Sequence, residues 1–511
     1  MSKKIKKLLN NKYFILVLVS LLIVLVIGTG TYAWLTWSSP DTTKLTVTIG
    51  NIADVVFNTG NDINTTSLSP VFTYDQGEKT NFSIVKRSSA SGTNVLFTVS
   101  LNITSIADEL KTTSFKYVLI KDNSIVAEGN FSTASSGDTI SLYSDAIATS
   151  QSYEFIIYID GNEENNTNMM NKTFNATLNV TAQGMSLPEN AATYITNLYT
   201  NTKSGTITNN SIEYQVSFAS LINDKLGGTT TGLDDGNIRY YGTNPRNYIY
   251  FNCSDYDNQS SDTCETWRII GVFDDKLKLI RNESIGGLAW DQDKNDDSSK
   301  TTYDNDWSTA TLQKLLNESY YNGTDTIVYY SRKDGSTSFS LNMTSIGIKN
   351  DITRNMIAEA TWNLGGWDSS VIYPNQIYTY ERGTAKCTSC TYETTWNGKI
   401  ALMYPSDYGY AADFSKCRDS NGNDLKLSNY NDITDSYQCR NNNWMFSSAY
   451  QWLLTSYTAN TSHAWVAALD GYIGYGTVYN PYEVVPVLYL DSELKIVSGD
   501  GSSNNPYKLN A

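Results

Sequence analysis

The sequence is almost without histidine, since His463 is the only one among 511 residues. Any mechanism that pairs a serine or cysteine nucleophile with a histidine would have to use this side chain. Neither His-x-x-x-His nor Gly-x-Ser-x-Gly occurs, so the usual signals of zinc proteases and serine hydrolases are absent. A lone histidine is more often exposed or hydrogen-bonded than catalytic. We therefore predict a protein that is not an enzyme and uses no cofactor.

Basic residues are also scarce. The chain has 37 Lys and Arg against 52 Asp and Glu, a formal net charge of −15. Five of the lysines lie within the first 12 residues, and without them 32 basic side chains face 52 acidic ones, a formal charge of −20. Such a surface repels nucleic-acid phosphates, so we expect no nucleic-acid partner. Acidity of this kind is typical of a soluble exported region.

The N-terminus combines those lysines with an uncharged apolar run over residues 13–27. A basic head before an apolar run is typical of a secretory signal or a signal anchor, with the lysines on the cytoplasmic side. Extended to Trp37, the segment could span roughly 30 Å of hydrocarbon. We predict a retained transmembrane helix at residues 1–37. The protein would then cross the cell membrane once, with its N-terminus cytoplasmic and its bulk extracellular. Cleavage near Ala33 is the alternative.

Cysteine is absent from the first 252 residues and occurs six times in the rest of the chain. An even number of cysteines in an exported chain points first to disulfides, although sequence alone does not fix their connectivity. A zinc site made of four of them (387, 390, 417 and 439) is the weaker alternative. We predict nearest-neighbour disulfides, pairing Cys253 with Cys264, Cys387 with Cys390, and Cys417 with Cys439.

Residues 40–185 are predicted to form an all-β domain. Over residues 93–104 the side chains alternate, with Phe97, Val99 and Leu101 on one face and polar residues on the other. Residues 174–182 repeat this pattern. A period of two with polar alternates indicates sheets that are buried on one side only. Several such runs between Asn-, Asp-, Gly- and Ser-rich turns predict a β-sandwich of jelly-roll type.

The lysine-rich head, the apolar run ending in Gly-Thr-Gly-Thr-Tyr-Ala-Trp, and the β domain that follows resemble one known group. This group is the camelysin and biofilm-fibre proteins of Gram-positive bacterial surfaces. The resemblance covers about residues 1–185. It implies a jelly-roll domain that is exported through a dedicated signal peptidase.

Residues 186–235 are predicted to be a partly helical, flexible linker, because stretches mainly of Gly, Thr and Asn at 205–210 and of Gly and Thr at 227–232 follow a short helical pattern. Residues 236–511 mix strand and helix patterns. Residues 267–280 read as a hairpin turning at Asp274 and Asp275. Residues 308–317 and 352–363 read as helices. We predict an α+β domain here.

Four phrases in this part resemble a module of uncharacterised Gram-positive surface proteins, which is distantly similar to the C-type-lectin and formylglycine-generating-enzyme fold. The resemblance implies a C-type-lectin-like domain and no particular activity. Val485 stands where an Arg often precedes the proline of the last phrase. The phrases are residues 242–251, 266–273, 402–410 and 485–490.

An acidic loop at Asp291, Asp293 and Asn295 has oxygen ligands at alternate positions, as at the start of a calcium loop. Asp296 stands where the sharp turn of an EF-hand needs Gly, and Thr302 stands where it needs Glu. We therefore predict a solvated loop and assign no metal site.

Aromatic residues crowd the last 70 or so positions, interleaved with Gly and Asn as in recognition surfaces. We predict a non-enzymatic surface protein that mediates adhesion by binding a ligand, such as a glycan or a protein, outside the cell. A structural subunit of a surface or biofilm fibre is the alternative, and an exported enzyme is the third. The predicted ligand-binding residues are Trp444, Trp465, Tyr472 and Tyr475.

Overall fold

The computed structural model describes strand residues 43–49, 55–58 and 63–65, and residues 68, 70–86, 93–147, 150–162, 169, 172–226, 236–296, 304–383, 393–433 and 436–510. The chain divides into two compact units, with the boundary between Gly184 and Met185. Residues 186–226, which fall in the predicted linker, form a helix and strands that belong to the second unit.

The first unit consists of two β-sheets. One sheet has the strand order β3-β1-β11-β6-β9, and the other has the order β2-β5-β10-β7-β8, with β4 beside β10. In the first of these sheets β1 runs parallel to β11, so the sheet is mixed, unlike the antiparallel jelly roll that the sequence predicts. The strands are β1 Thr43–Ile49, β2 Val55–Asn58, β3 Ile63–Thr65, β4 Pro70–Val71, β5 Glu78–Lys86, β6 Thr93–Ile106, β7 Phe115–Lys121, β8 Ser124–Asn130, β9 Thr139–Ile147, β10 Ser150–Asp160 and β11 Phe174–Ser186.

A single apolar core joins these two sheets, which makes the unit a β-sandwich. Phe97, Val99 and Leu101 of β6 contribute to the same buried cluster as Phe155 and Ile157 of β10 in the other sheet. On β6 these residues alternate with half-buried polar ones, as the period-two pattern predicts. The β-rich fold of this unit is therefore confirmed.

The second unit is also mainly β. Its largest sheet has the order β13-β14-β15-β16-β18-β19-β30-β25, with β17 beside β18, and a second sheet has the order β20-β29-β26-β27-β28. The strands are β12 Glu189–Asn190, β13 Lys203–Asn209, β14 Ile212–Ser217, β15 Leu221–Asn223, β16 Ile238–Tyr240, β17 Tyr248–Phe251, β18 Glu265–Phe273, β19 Lys276–Arg281, β20 Gly287–Leu288, β21 Thr326–Ser331, β22 Thr337–Asn342, β23 Ala360–Asn363, β24 Thr395–Gly398, β25 Ile400–Ala401, β26 Gln451–Ser456, β27 His463–Ala467, β28 Ile473–Thr477, β29 Tyr482–Glu483, β30 Val487–Tyr489, β31 Lys495–Ser498 and β32 Lys508–Leu509.

The helices of this unit are short. The pattern at 352–363 gives a helix only to Met356, because Ile357 adopts an extended backbone and pairs with Leu490. The α-helices are α1 Ala191–Asn201, α2 Thr311–Leu315, α3 Met343–Ile346, α4 Asp351–Met356, α5 Pro374–Glu381, α6 Pro405–Tyr410 and α7 Gln438–Asn441, and a π-helix at Leu316–Tyr320 continues α2. One-turn 3₁₀ helices lie at Tyr74–Gln76, Asp108–Leu110, Asp293–Asn295, Phe414–Lys416 and Leu427–Asn429.

The predicted hairpin is present between β18 and β19. Asp274 and Asp275 both have positive φ angles, 46° and 60°. A two-residue type I′ turn requires this conformation at both positions, and Asp tolerates it better than most residues. The turn brings the apolar side chains of the two strands into register within the main sheet.

The predicted fold class needs correction in two respects. In the part of the chain that the structure describes, no helix is long and apolar enough to cross a membrane. Residues 1–37, which the transmembrane prediction concerned, lie outside that part. The prediction of a single-pass membrane protein is therefore corrected, because no described helix could serve as its membrane span. The second unit is also mostly β-sheet with short helices, and not the α+β domain that the sequence predicts.

Candidate functional site

Four charged side chains meet in the interior of the second unit. Arg239 comes from β16, Lys278 from β19, Asp407 from α6, and Asp224 from the end of β15. Along β19 the lysine alternates with Leu277 and would be expected to face solvent, yet the structure buries it fully. Charged residues are almost never fully buried unless they are paired, so this cluster stands out from the rest of the sheet.

Ion pairs connect all four groups. Asp407 accepts hydrogen bonds from Lys278 Nζ at 2.5 Å and from Arg239 Nη1 at 2.7 Å. Arg239 Nε donates to Asp224 at 2.6 Å. Asp407 thus bridges two cations that lie far apart in the sequence. We call these four residues the buried ion network.

Electrostatics within the network keep Asp407 ionised. Burial raises the pKa of this carboxyl, but the charges of Lys278 and Arg239 outweigh burial and hold the pKa below its usual value. For Lys278 the balance is reversed, because burial lowers the pKa to about 8 although Asp407 opposes it. Lys278 is therefore the cation of the network that gives up its proton most readily.

Two similar helix starts position the neighbouring side chains. Helices α5 and α6 each begin with Tyr-Pro, where proline suits the first helical position. In α6 the carboxylate of Asp407 accepts the backbone N–H of Tyr404, so this side chain caps the helix as well as binding the cations. Helix α5 approaches closely, since a Cβ on Gly409 would lie 2.8 Å from the Pro374 ring.

A cavity of about 840 Å³ lies beside the buried ion network. Pockets for small molecules are typically in this size range and combine aromatic walls with a few placed polar groups. Lys278 Nζ is 4.4 Å from the ring centroid of Tyr404, so the network lies directly behind the cavity wall. The wall includes Phe273, Asn363, Tyr378, Arg382, Tyr404 and Tyr489.

Arg382 is one of two cations that line this cavity, and Lys276 is the other. The guanidinium carbon of Arg382 stacks 3.4 Å from the ring centroid of Tyr378, and the side chain of this arginine is 26% exposed. Nη1 donates to the carboxylate of Glu381 at 3.3 Å. Glu381 is fully buried and accepts two hydrogen bonds from Ser406. Burial raises the pKa of Glu381, and the charge of Arg382 only partly offsets this effect.

Two disulfides support this unit. The predicted pairs Cys253–Cys264 and Cys417–Cys439 are both present and confirmed. The second pair ties the segment after α6 to α7. It also excludes the four-cysteine zinc site, because Cys417 and Cys439 are consumed by the disulfide. The predicted pair of Cys387 and Cys390 lies outside the described residues.

The four predicted ligand-binding aromatics do not form one site, and none of them lines the cavity. Trp465 is 1% exposed and donates its indole N–H to the carbonyl of Ser456. Trp444 is half-buried, and Arg268 packs 4.5 Å above its ring. Tyr472 is half-buried as well. Tyr475 alone is well exposed, at 52%.

His463 lies next to Tyr475 in a small aromatic cluster. Tyr475 stacks on Tyr457 with centroids 4.1 Å apart, and His463 meets its ring edge-on. Burial lowers the pKa of His463. Its Nδ1 has no hydrogen-bond partner within the described ranges, so the structure shows no residue that orients it as a catalytic base.

The acidic loop at residues 291–295 uses carboxylate and amide oxygens for hydrogen bonds within the protein. Asp291 is fully buried and accepts the backbone N–H groups of Thr311 and Asp304. The side chain of Asn295 hydrogen-bonds with the backbone of Tyr330 in both directions. No group of three or more His, Cys, Asp or Glu residues that could hold a metal is found among the described residues.

The sequence reasoning missed the buried ion network and the cavity. Two signals were available in hindsight. Lys278 is a charged residue between two leucines of a strand, and the Tyr-Pro-Ser-Asp phrase ending at Asp407 repeats the Tyr-Pro start at Pro374. No protein-family model matches the sequence, and no curated protein is significantly similar to it. The resemblances noted for the two halves therefore stay predictions.

Proposed function

We propose that this protein is an exported recognition protein and that the cavity of the second unit binds a small polar ligand, such as a sugar. The observation that carries this proposal is the position of the cavity beside the buried ion network. The ligand would contact tyrosine rings and a cation whose neighbours are already fixed by ion pairs and helix caps. Binding of this kind would serve adhesion.

The buried ion network supports the proposal through its energetics. Removing several charges from water costs several kcal/mol per ion, and a buried ion cluster is often no more stable than a well-packed apolar one. A network of this kind is better explained by the positions in which it holds the neighbouring side chains. Tyr404, which lies between the network and the cavity, is held by its own hydrogen bonds to Asn363 and by the cap from Asp407. Such preorganisation reduces the entropy lost when a ligand binds.

A binding role fits the chemistry better than catalysis. Lys278 and Asp407 are fully buried and paired with each other, so neither is presented to a substrate. Glu381 has a raised pKa, as many catalytic acids do, but Ser406 occupies its carboxylate and no part of it is exposed. The two disulfides are typical of proteins in an oxidising compartment, which agrees with export.

A bulky side chain in the cavity tests the proposal. Thr379 lies on α5, lines the cavity and is exposed, and its hydroxyl donates to a backbone carbonyl four residues earlier. Thr379→Trp should therefore block the cavity without disturbing the fold. Thr200 on α1 is the matched control, since it is also exposed and makes the same type of hydrogen bond.

The measurement is binding of the full chain to a glycan array and a panel of small polar molecules. We expect wild type and Thr200→Trp to retain the same ligands and Thr379→Trp to lose them. Equal binding by all three proteins would place recognition elsewhere, for example at Tyr475. An array and panel that stay blank for the wild type would refute the proposal.

One observation favours the alternative of a fibre subunit. Strand β1 lies between β11 and β3 in its sheet and contributes six residue pairs with β11. A strand near the start of the chain in this position could be supplied by a neighbouring copy, so that subunits would polymerise by exchanging strands. Concentration-dependent polymers of the full chain would support this function. A monomer at all concentrations would count against it.

A further inference from the structure

Part of the guanidinium group of Arg382 has no hydrogen-bond partner among the described residues. Only Nη1 of its guanidinium forms hydrogen bonds, with the Tyr378 carbonyl at 3.4 Å and with Glu381 at 3.3 Å. Both contacts are near the long end of the hydrogen-bond range. For Nε and Nη2 the described part of the chain provides no hydrogen-bond partner. An arginine stacked on a ring, with an open edge, is arranged to receive a planar anion.

Among the described residues, the acid that pairs with Arg382 is Glu381, and it does so through Nη1 alone. The carboxylate of Glu381 also accepts two hydrogen bonds from Ser406. Asp407 and Asp224 are committed to Lys278 and Arg239 within the buried ion network. The positive charge of Arg382 is therefore directed toward the cavity.

Two neutral polar groups of the wall also lack a hydrogen-bond partner in the described part of the chain. Asn363 and Tyr489 line the cavity, and neither the side-chain amide of Asn363 nor the hydroxyl of Tyr489 has a hydrogen-bond partner among the described residues. Amide and hydroxyl groups suit ligand hydroxyls, because each can donate and accept. Glu359 and Asp274 also line the cavity and are exposed. Their charges disfavour a doubly charged ligand such as a phosphate.

We propose that the ligand of this cavity is an acidic sugar, whose carboxylate binds Nε and Nη2 of Arg382 while its hydroxyls bind Asn363 and Tyr489. This inference rests on the proposed function, because it assigns a chemical class to the ligand of the same cavity. A single negative charge matches the guanidinium edge, and several hydroxyls match the neutral groups of the wall.

Matched pairs of sugars test the assignment. The full chain is titrated with D-glucuronate against D-glucose, with D-galacturonate against D-galactose, and with glucose 6-phosphate, at low ionic strength and with binding followed by calorimetry or ligand-observed NMR. We expect each carboxylated sugar to bind roughly ten- to a hundredfold more tightly than its neutral partner, as for hydrogen bonds to charged groups. Arg382→Gln should abolish this preference. Arg382→Lys should keep part of it, because the charge remains and the fork is lost.

Lys349→Gln is the control, since Lys349 is an exposed cation of the same unit that does not line the cavity. It should leave the preference intact. The ratio of acidic to neutral affinity separates recognition from folding, because a misfolded variant loses both ligands. Equal affinity for acidic and neutral sugars, tighter binding of the phosphate, or a preference that survives Arg382→Gln would overturn the inference and leave the proposed function standing. If no member of the panel binds to the wild type, both are overturned.

Discussion

The two units of this protein differ in what their interiors are made of. Between residues 40 and 184 the sequence contains neither tryptophan nor cysteine, and the first unit is held together by Phe, Leu, Ile and Val between two sheets. The second unit buries six tryptophans almost completely, together with disulfides and the buried ion network. An apolar sandwich needs only a repeating pattern to form. The interior of the second unit contains polar groups, and each of them needs its own hydrogen-bond or ion-pair partner.

Buried ion pairs make the contrast more specific. In the first unit Lys121 and Asp145 form a pair at 2.6 Å that is almost buried, and neither residue lines the cavity of about 880 Å³ that this unit contains. In the second unit Asp407 binds two cations, and these ion pairs lie behind the wall of the cavity that Arg382 lines. Under the proposed function, the first unit serves as a spacer and the second carries the recognition site. The following predictions test this division.

The largest effect is expected for Asp407→Asn. This change leaves Lys278 and Arg239 buried without their shared anion, so the free energy of unfolding of the second unit should fall by about 3–5 kcal/mol. Urea denaturation followed by tryptophan fluorescence measures it, because nine of the 11 tryptophans lie in the second unit. Asp351→Asn, which affects an ion pair whose carboxylate is 89% exposed, should change nothing measurable. An unchanged midpoint for Asp407→Asn would show that the ion pairs of Asp407 do not stabilise the second unit.

Removing the Cys417–Cys439 disulfide should destabilise the second unit alone. The bond closes a loop with a sequence separation of 22. The chain-entropy model gives a loss of about 3 kcal/mol for Cys417→Ser with Cys439→Ser. Differential scanning calorimetry should show one transition moving down and that of the first unit staying in place. A shift of both transitions would contradict independent units.

The pH dependence of stability should reveal Lys278. Its pKa of about 8 in the folded protein is lower than the value of about 10.4 in an unfolded chain. Above pH 8 the unfolded state therefore binds more protons at this site, and the stability difference between wild type and Lys278→Met should shift in favour of wild type. The slope should approach about 1.4 kcal/mol per pH unit. Urea denaturation between pH 7 and 9.5 measures this difference, and parallel curves would refute the assignment.

The smallest effect is predicted in the first unit. Ile157 on β10 is fully buried in the sandwich, so Ile157→Val should cost about 1 kcal/mol through the loss of one methylene group. Ile125→Val on β8 is the control, because Ile125 is 43% exposed. Only the transition of the first unit should move in calorimetry. A matching loss of ligand binding by Ile157→Val would break the division between spacer and recognition unit.

Local patterns predicted much of the framework. The alternation over β6 identified the sandwich, because successive side chains of a strand point to opposite faces. Proximity in the sequence was enough to pair Cys253 with Cys264 and Cys417 with Cys439. The amount of helix was overestimated, because strand pairing of Ile357 with Leu490 ends one predicted helix early.

The candidate site could not be predicted in the same way. Lys278 and Asp407 are 129 positions apart, and Arg239 and Asp407 are 168 apart. Only the arrangement of the sheets brings these side chains together, and a local sequence pattern does not reveal that arrangement. Density of aromatic residues was a poor guide for the same reason, since Trp465 packs in the interior while the cavity takes its rings from β18, β30, α5 and the start of α6.

Hydrogen–deuterium exchange of the full chain, with and without saturating acidic sugar, tests the central claim most directly. We predict slower exchange in α5 and β23, which contribute Thr379 and Asn363 to the cavity, and no change in the first unit. Protection confined to β27 and β28 around Tyr475, or to the sandwich of the first unit, would contradict the assignment of recognition to the cavity.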